Sequence, residues 1–228
     1  MKGKLIAACM ALAAFVAFAV VPATASAIEL QAPTGTKLAA GTLIKATNVG
    51  ETLMKNDTGT ETLIRCNKAE MTGELLTNGP ATATGNITSN KFTGTAASED
   101  CTSSTGAGIK VTTGITGGLP YCMKTIELKD EMEIRGGKCS ETARSIKFTL
   151  DATGIGNCGY ETAKLIGSFV TDTSGQDLTA TITAGSNSTF NRFESEGLVS
   201  IFCPEHSTLE MTFTLEKDEA TANPIYAK

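Results

Sequence analysis

Along most of the chain, apolar and polar residues alternate one by one. In SIKFTLD, Ile146, Phe148 and Leu150 fall on one side of an extended backbone, and Lys147, Thr149 and Asp151 on the other. TLEMTFTLE repeats the pattern with Leu209, Met211, Phe213 and Leu215 against Glu210, Thr212, Thr214 and Glu216. In KTIELKDEMEIR, Ile126, Leu128, Met132 and Ile134 oppose Glu127, Lys129, Glu131, Glu133 and Arg135. A period of two marks a strand with one dry and one wet face. GTLIKAT, ETLIRCN, AEMTGELL, NITSNKFTG, GIKVTTGI, KLIGSFVTD, DLTATITA and EGLVSIFC add further strands. Abundant threonine, and turns such as Thr77-Asn78-Gly79-Pro80, Gly136-Gly137 and Thr173-Ser174-Gly175, complete an all-β pattern of many short strands. No segment carries a helical stripe. The expected fold is an antiparallel β-sandwich or open barrel, because antiparallel sheets can leave one face in water and parallel ones usually cannot.

The first 27 residues depart from this pattern. Lys2 and Lys4 precede an apolar run to about Val21, and Ala25-Ser26-Ala27 supplies small residues for cleavage, the pattern of a secretory signal peptide. A lipoprotein reading around Cys9 leaves too short an apolar lead before the cysteine. No later run approaches the length of a membrane span, so no transmembrane segment is expected after cleavage. Residues 28–228 suit a single all-β domain; the alternative is two small sandwiches split near 117–120, at Gly117-Gly118-Leu119-Pro120.

Export changes how the charges and cysteines read. Removing Lys2 and Lys4 makes a net charge of −5 more negative by two, so the chain lacks the basic surface that nucleic acid requires. Of seven cysteines, Cys9 leaves with the signal. Cys66, Cys101, Cys122, Cys139, Cys158 and Cys203 form an even set, which in an exported chain implies three disulfides. Position along the chain favours Cys66–Cys101 and Cys139–Cys158, which pairs Cys122 with Cys203 by default. No C-x-x-C or H-x-x-x-H spacing points to zinc.

Candidate chemistry is sparse. Gly154, Gly156 and Gly159 reproduce the G-x-G-x-x-G spacing of a dinucleotide loop, but such a loop needs a helix after it, and the following YETAKLIGSFVTD reads as strand. The glycines read instead as a wide hairpin turn, and no cofactor is expected. His206, the one histidine, reads as a turn residue, since no G-x-S-x-G elbow accompanies it. Glu131 and Glu133 lie on one face of a strand between Lys129 and Arg135, a solvated charged surface rather than an acid–base pair across a cleft. DTSGQD, residues 172–177, lacks the alternating acidic ligands of a calcium loop. The reading therefore assigns no catalytic, cofactor or metal residues.

TLIRCNKAEMTGEL, NITSNKFTGTAASEDC and KVTTGITGGLPYCM together resemble small secreted bacterial disulfide-linked β-proteins. These carry a Cys, a T-G, an I-x-x-x-x-F and a second Cys before an N-L-P-W-like element; the protein activator of alkane oxidation family is a more distant likeness. Cys66, Thr72-Gly73, Ile87, Phe92 and Cys101 match, and Gly118-Leu119-Pro120-Tyr121 stands where the last element would be, with Tyr121 in place of Trp. The resemblance implies export and a β-rich, disulfide-linked body, and carries no catalytic residues. The function expected is that of a noncatalytic secreted or cell-envelope module acting in surface association, adhesion or binding, with a protein or apolar surface as partner. The alternatives are a secreted hydrolase using His206 and a secreted inhibitor presenting the AASEDCTSSTGAG loop.

Overall fold

The computed structural model describes residues 29–80, 82–94, 100–113, 118–126, 130–152, 155–171, 178–197, 203–219 and 223–227. The signal segment, the DTSGQD loop and most of EGLVSIFC lie outside the described residues.

The alternating segments fold into eight long antiparallel staves. Seven are interrupted near mid-height, so that each comprises two strands. The first is β2 (Leu43–Asn48) with β3 (Thr52–Asn56), and the second β4 (Thr62–Cys66) with β5 (Lys68–Asn78). The third is β6 (Ala83–Thr93) with β7 (Cys101–Ser103), and the fourth β8 (Gly108–Thr113) with β9 (Tyr121–Ile126). The fifth is β10 (Glu131–Gly136) with β11 (Ile146–Ala152), and the sixth β12 (Gly156–Thr162) with β13 (Lys164–Thr171). The seventh is β14 (Leu178–Ile182) with β15 (Thr189–Gly197), and the eighth is the unbroken β16 (His206–Lys217).

Each stave pairs with the one before it and the one after it. In the lower half the ladder runs β2-β5-β6-β9-β10-β13-β14-β16, and in the upper half β3-β4-β7-β8-β11-β12-β15-β16. β16 closes both circuits, pairing with β2 through Phe213↔Asn48 and with β3 through Ser207↔Asn56. The expected all-β antiparallel class is borne out, and of the architectures expected the chain takes the barrel and closes it. Closure pairs the strand edges that an open sheet exposes.

Alternation then sorts the side chains. Ile44, Leu75, Ile134, Phe213 and Leu215 are buried in the lower half, and Met54, Ile64, Leu150, Tyr160 and Phe190 in the upper half. Phe148 stacks on Tyr160 at 5.7 Å between ring centroids and meets Phe190 edge-on at 4.9 Å. Ion pairs join neighbouring strands on the outside: Lys45–Glu70 at 3.2 Å, Lys55–Glu210 at 2.7 Å, Lys147–Glu161 at 3.1 Å and Lys164–Glu133 at 3.2 Å. A barrel with charges outside and apolar residues inside has the reverse of the pattern that suits a strand barrel in lipid. No helix among the described residues is long and apolar enough to cross a membrane.

Polar residues manage the interruptions and the lower end. The Asn48 side chain donates to the carbonyls of Gly50 (2.6 Å) and Asn67 (3.1 Å) and accepts from the Ala69 N–H (2.8 Å), tying the breaks of the first two staves together. Gly50, at φ +76°, makes the first break possible. At the lower end, β17 (Asn223–Pro224) pairs with β16, β1 (Leu30–Gln31) pairs with β18 (Tyr226–Ala227), and Leu30, Leu38 and Ile225 are buried beneath the barrel.

The structure corrects three sequence readings. KTIELKDEMEIR is a hairpin rather than one alternating run, because β9 and β10 pair through Ile126↔Glu131 and Asp130 takes φ +48° beside the turn. GIGNCG is not a wide turn, since Gly156 and Gly159 belong to β12, which pairs with β11 from Ala152↔Gly156 onward. The third correction concerns the disulfides. Cys66–Cys101 forms as expected, but the other two are Cys122–Cys139 and Cys158–Cys203. Cys122 faces outward, between Tyr121 and Met123 on the inward face, and meets the excursion after β10 in which the Cys139 N–H donates to Asn86 Oδ1 at 2.9 Å. Cys158 is the register partner of Leu150 in the upper half, remote from that lower excursion.

Candidate ligand site at the barrel mouth

The upper end of the barrel holds a cavity of about 350 Å³, within the range of about 300 to 1,000 Å³ usual for small-molecule sites. Its apolar lining comes from Leu63 and Ile64 of β4, Ile109 of β8, Leu150 and Ala152 of β11, and the Cys158–Cys203 disulfide with Pro204. Asn56, Glu61, Ser103, Ser104 and Thr105 supply the polar part from two neighbouring turns. Strand alternation aims Ile64, Ile109, Leu150, Ala152 and Cys158 inward; hairpin chemistry places the second group at the rim.

These walls are fixed by their own hydrogen bonds. Asn56 Oδ1 accepts from the N–H groups of Thr60 at 3.0 Å and Glu61 at 3.3 Å, holding the β3–β4 turn. Ser103 Oγ accepts from the Ala107 N–H at 2.9 Å and holds the β7–β8 turn. Opposite, the Tyr160 hydroxyl donates to the Pro204 carbonyl at 2.9 Å, and the Arg192 guanidinium donates to the Cys203 carbonyl. With Cys203 also bonded covalently to Cys158, the chain entering β16 is clamped from three sides. Burial pushes the Tyr160 phenol up to about 12, so it is a neutral donor at ordinary pH.

The charge lining the mouth is acidic, and the Arg192 guanidinium stands behind the wall at the Cys203 carbonyl. Glu61 lines the cavity, Asp57 and Glu205 are exposed on adjoining turns, and none of the described lining residues is Lys, Arg or His. Such a mouth disfavours an anionic ligand and lacks the nucleophile–base pair of a hydrolytic centre among those residues.

Most of the side chains weighed for chemistry from the sequence sit elsewhere. His206, exposed at the start of β16, has Nδ1 2.9 Å from Asn191 Oδ1. Glu133 pairs with Lys164 across neighbouring strands, while Lys129 lies outside the described residues. Gly159 packs against the Phe193 ring, over which Lys147 Nζ stands at 4.7 Å, so its spacing to Gly156 serves side-chain packing. Of the six cysteines, only Cys158 and Cys203 reach the mouth. Ser103, Ser104 and Thr105 of the AASEDCTSSTGAG segment also reach it, from the end of β7 and the turn that follows; Ala152, which matters there by being small, carried no mark in the sequence. Comparison with protein-family models, curated proteins and solved structures finds no match to this chain, and none of these bears on the resemblance drawn from its motifs.

Proposed function

We propose that the protein is a noncatalytic secreted or cell-envelope binding module that takes a small, largely apolar molecule into the upper mouth of its barrel. The observation that carries this reading is the 350 Å³ cavity, apolar at its walls and polar at one rim, on a scaffold closed at its other end by the buried Leu30, Leu38 and Ile225. Eight-stranded barrels are wide enough to enclose one small ligand, and barrel mouths are a preferred place for such sites. Three disulfides support an oxidising compartment, in keeping with the signal-like first 27 residues.

The test is a titration with N-phenyl-1-naphthylamine, an uncharged probe that brightens in apolar surroundings. Saturable brightening is expected, and Ala152→Phe, which fills the mouth from its wall, should abolish it while leaving the circular dichroism of the barrel unchanged. Absence of saturable binding, or binding unaffected in a folded Ala152→Phe protein, contradicts the proposal.

A further inference from the structure

Below the mouth the barrel interior holds two smaller cavities. The central one is about 70 Å³ and the lower one about 50 Å³. Ile64 and Leu150 line both the mouth and the central cavity, so these two side chains form the partition between them. Met71 and Met211 line both the central and lower cavities, and methionines adapt readily to different occupants.

The central cavity is apolar except at Thr52, Asn90 and Tyr121. Tyr121 donates its hydroxyl to the Lys147 carbonyl at 3.2 Å. Thr52 differs: it is 3 % exposed, and its Oγ1 is buried without a hydrogen-bond partner among the described residues. A hydroxyl stranded among hydrocarbon is costly, and a barrel formed by alternation would lose nothing by placing valine there. The arrangement makes sense as half of a hydrogen bond whose other half is brought by a ligand. That group must be uncharged, because the described lining contains no Lys, Arg, His, Asp or Glu to offset the burial of an ion.

We infer that the ligand is a linear aliphatic alcohol bound head first, with its hydroxyl on Thr52 Oγ1 in the central cavity and its chain passing between Ile64 and Leu150 into the mouth. An alcohol oxygen both donates and accepts, so it meets the threonine hydroxyl in either orientation. The acidic rim adds selection against a carboxylate at the outer end. This inference rests on the proposed mouth site and adds to it the ligand class, the polar anchor and the direction of entry.

The experiment measures displacement of N-phenyl-1-naphthylamine by straight-chain 1-alkanols, alkylamines and alkanoates in the wild-type protein and in Thr52→Val. Alkanol affinity should rise roughly fourfold per methylene until the mouth is filled, with amines and alkanoates of equal length far weaker. Thr52→Val should weaken alkanols by roughly three- to tenfold, leave the probe affinity unchanged and leave the melting temperature equal or higher. Shifts of the Met71 and Met211 methyl resonances with alkanols, in the wild-type protein, provide a readout that needs no variant. If the probe itself does not bind, the mouth reading fails and this inference with it. If the probe binds but alkanols do not displace it, or Thr52→Val binds them equally well, or alkanoates match alkanols, this inference alone is overturned.

Discussion

The carboxamide of Asn78 holds the segment that closes the lower end of the barrel. Its Nδ2 donates to the carbonyls of Leu30 at 2.7 Å and Leu38 at 3.0 Å, and its Oδ1 accepts from the Leu30 N–H at 2.9 Å. Asn78→Ala removes the side-chain partner of the Leu30 N–H and the Leu38 carbonyl, while the Leu30 carbonyl keeps the Leu38 N–H, and should cost about 2 to 4 kcal/mol, judged from the penalty for each group that loses its bond. Urea unfolding checks this; a loss below about 0.5 kcal/mol, the size of an ordinary surface substitution, contradicts the role. Two tyrosines set the alkaline limit. Burial raises both Tyr121 and Tyr160 to about 12 from 10.0. Because the folded state holds these protons more tightly than the unfolded chain, their contribution is fully present below pH 10. It is lost as pH rises from about 10 to 12. Tyrosinate absorbance followed together with circular dichroism should show the ionisation of these two residues accompanying loss of the barrel. Full tyrosine ionisation with the far-ultraviolet spectrum intact contradicts their burial.

At the scale of elements, β11 and β16 were legible because SIKFTLD and TLEMTFTLE alternate without a break and contain no glycine. β12 was not, because Gly156 and Gly159 read as turn residues; yet a strand accepts glycine where a neighbour lies close, as the Phe193 ring does on Gly159. The β9–β10 hairpin was hidden because Glu127, Lys129 and Glu131 keep the wet positions in step across the turn, and the one break in the alternation is Asp130, a charged residue at a dry position. The disulfides show the same limit. Cys66–Cys101 joins directly opposed positions of the paired strands β4 and β7 and uses the two cysteines of the N-terminal half, whereas the partners of Cys122 and Cys158 depend on which face of which half each occupies. Peptide mapping without reduction should recover Cys122–Cys139 and Cys158–Cys203, and Cys139–Cys158 or Cys122–Cys203 peptides contradict the fold. With loops of 17 and 45 residues, the paired replacements Cys122→Ser with Cys139→Ser and Cys158→Ala with Cys203→Ala should each cost about 3 to 4 kcal/mol by loop closure, the second slightly more. Only the second, which frees one wall of the mouth, should weaken probe binding.

At the scale of the molecule, alternation determines that each stave has one dry face, but it does not determine that the eighth stave returns to the first. Closure depends on register and twist summed around the circuit, which no single segment displays. The cavity was still less legible, because it is set by where Ala152, Ser103 and their neighbours fall short of the axis. The polar exterior has a use in testing this. Leu43, Val49 and Val170 are exposed and stand outside the barrel, whereas Ile64, Ile109 and Leu150 line the mouth. Methyl-resolved NMR during a titration with N-phenyl-1-naphthylamine therefore reads the location of binding in one spectrum. The barrel-mouth account predicts saturable shifts of the Ile64, Ile109 and Leu150 methyls with those of Leu43, Val49 and Val170 unmoved; shifts confined to the exposed set, or none in the mouth at saturating probe, contradict it.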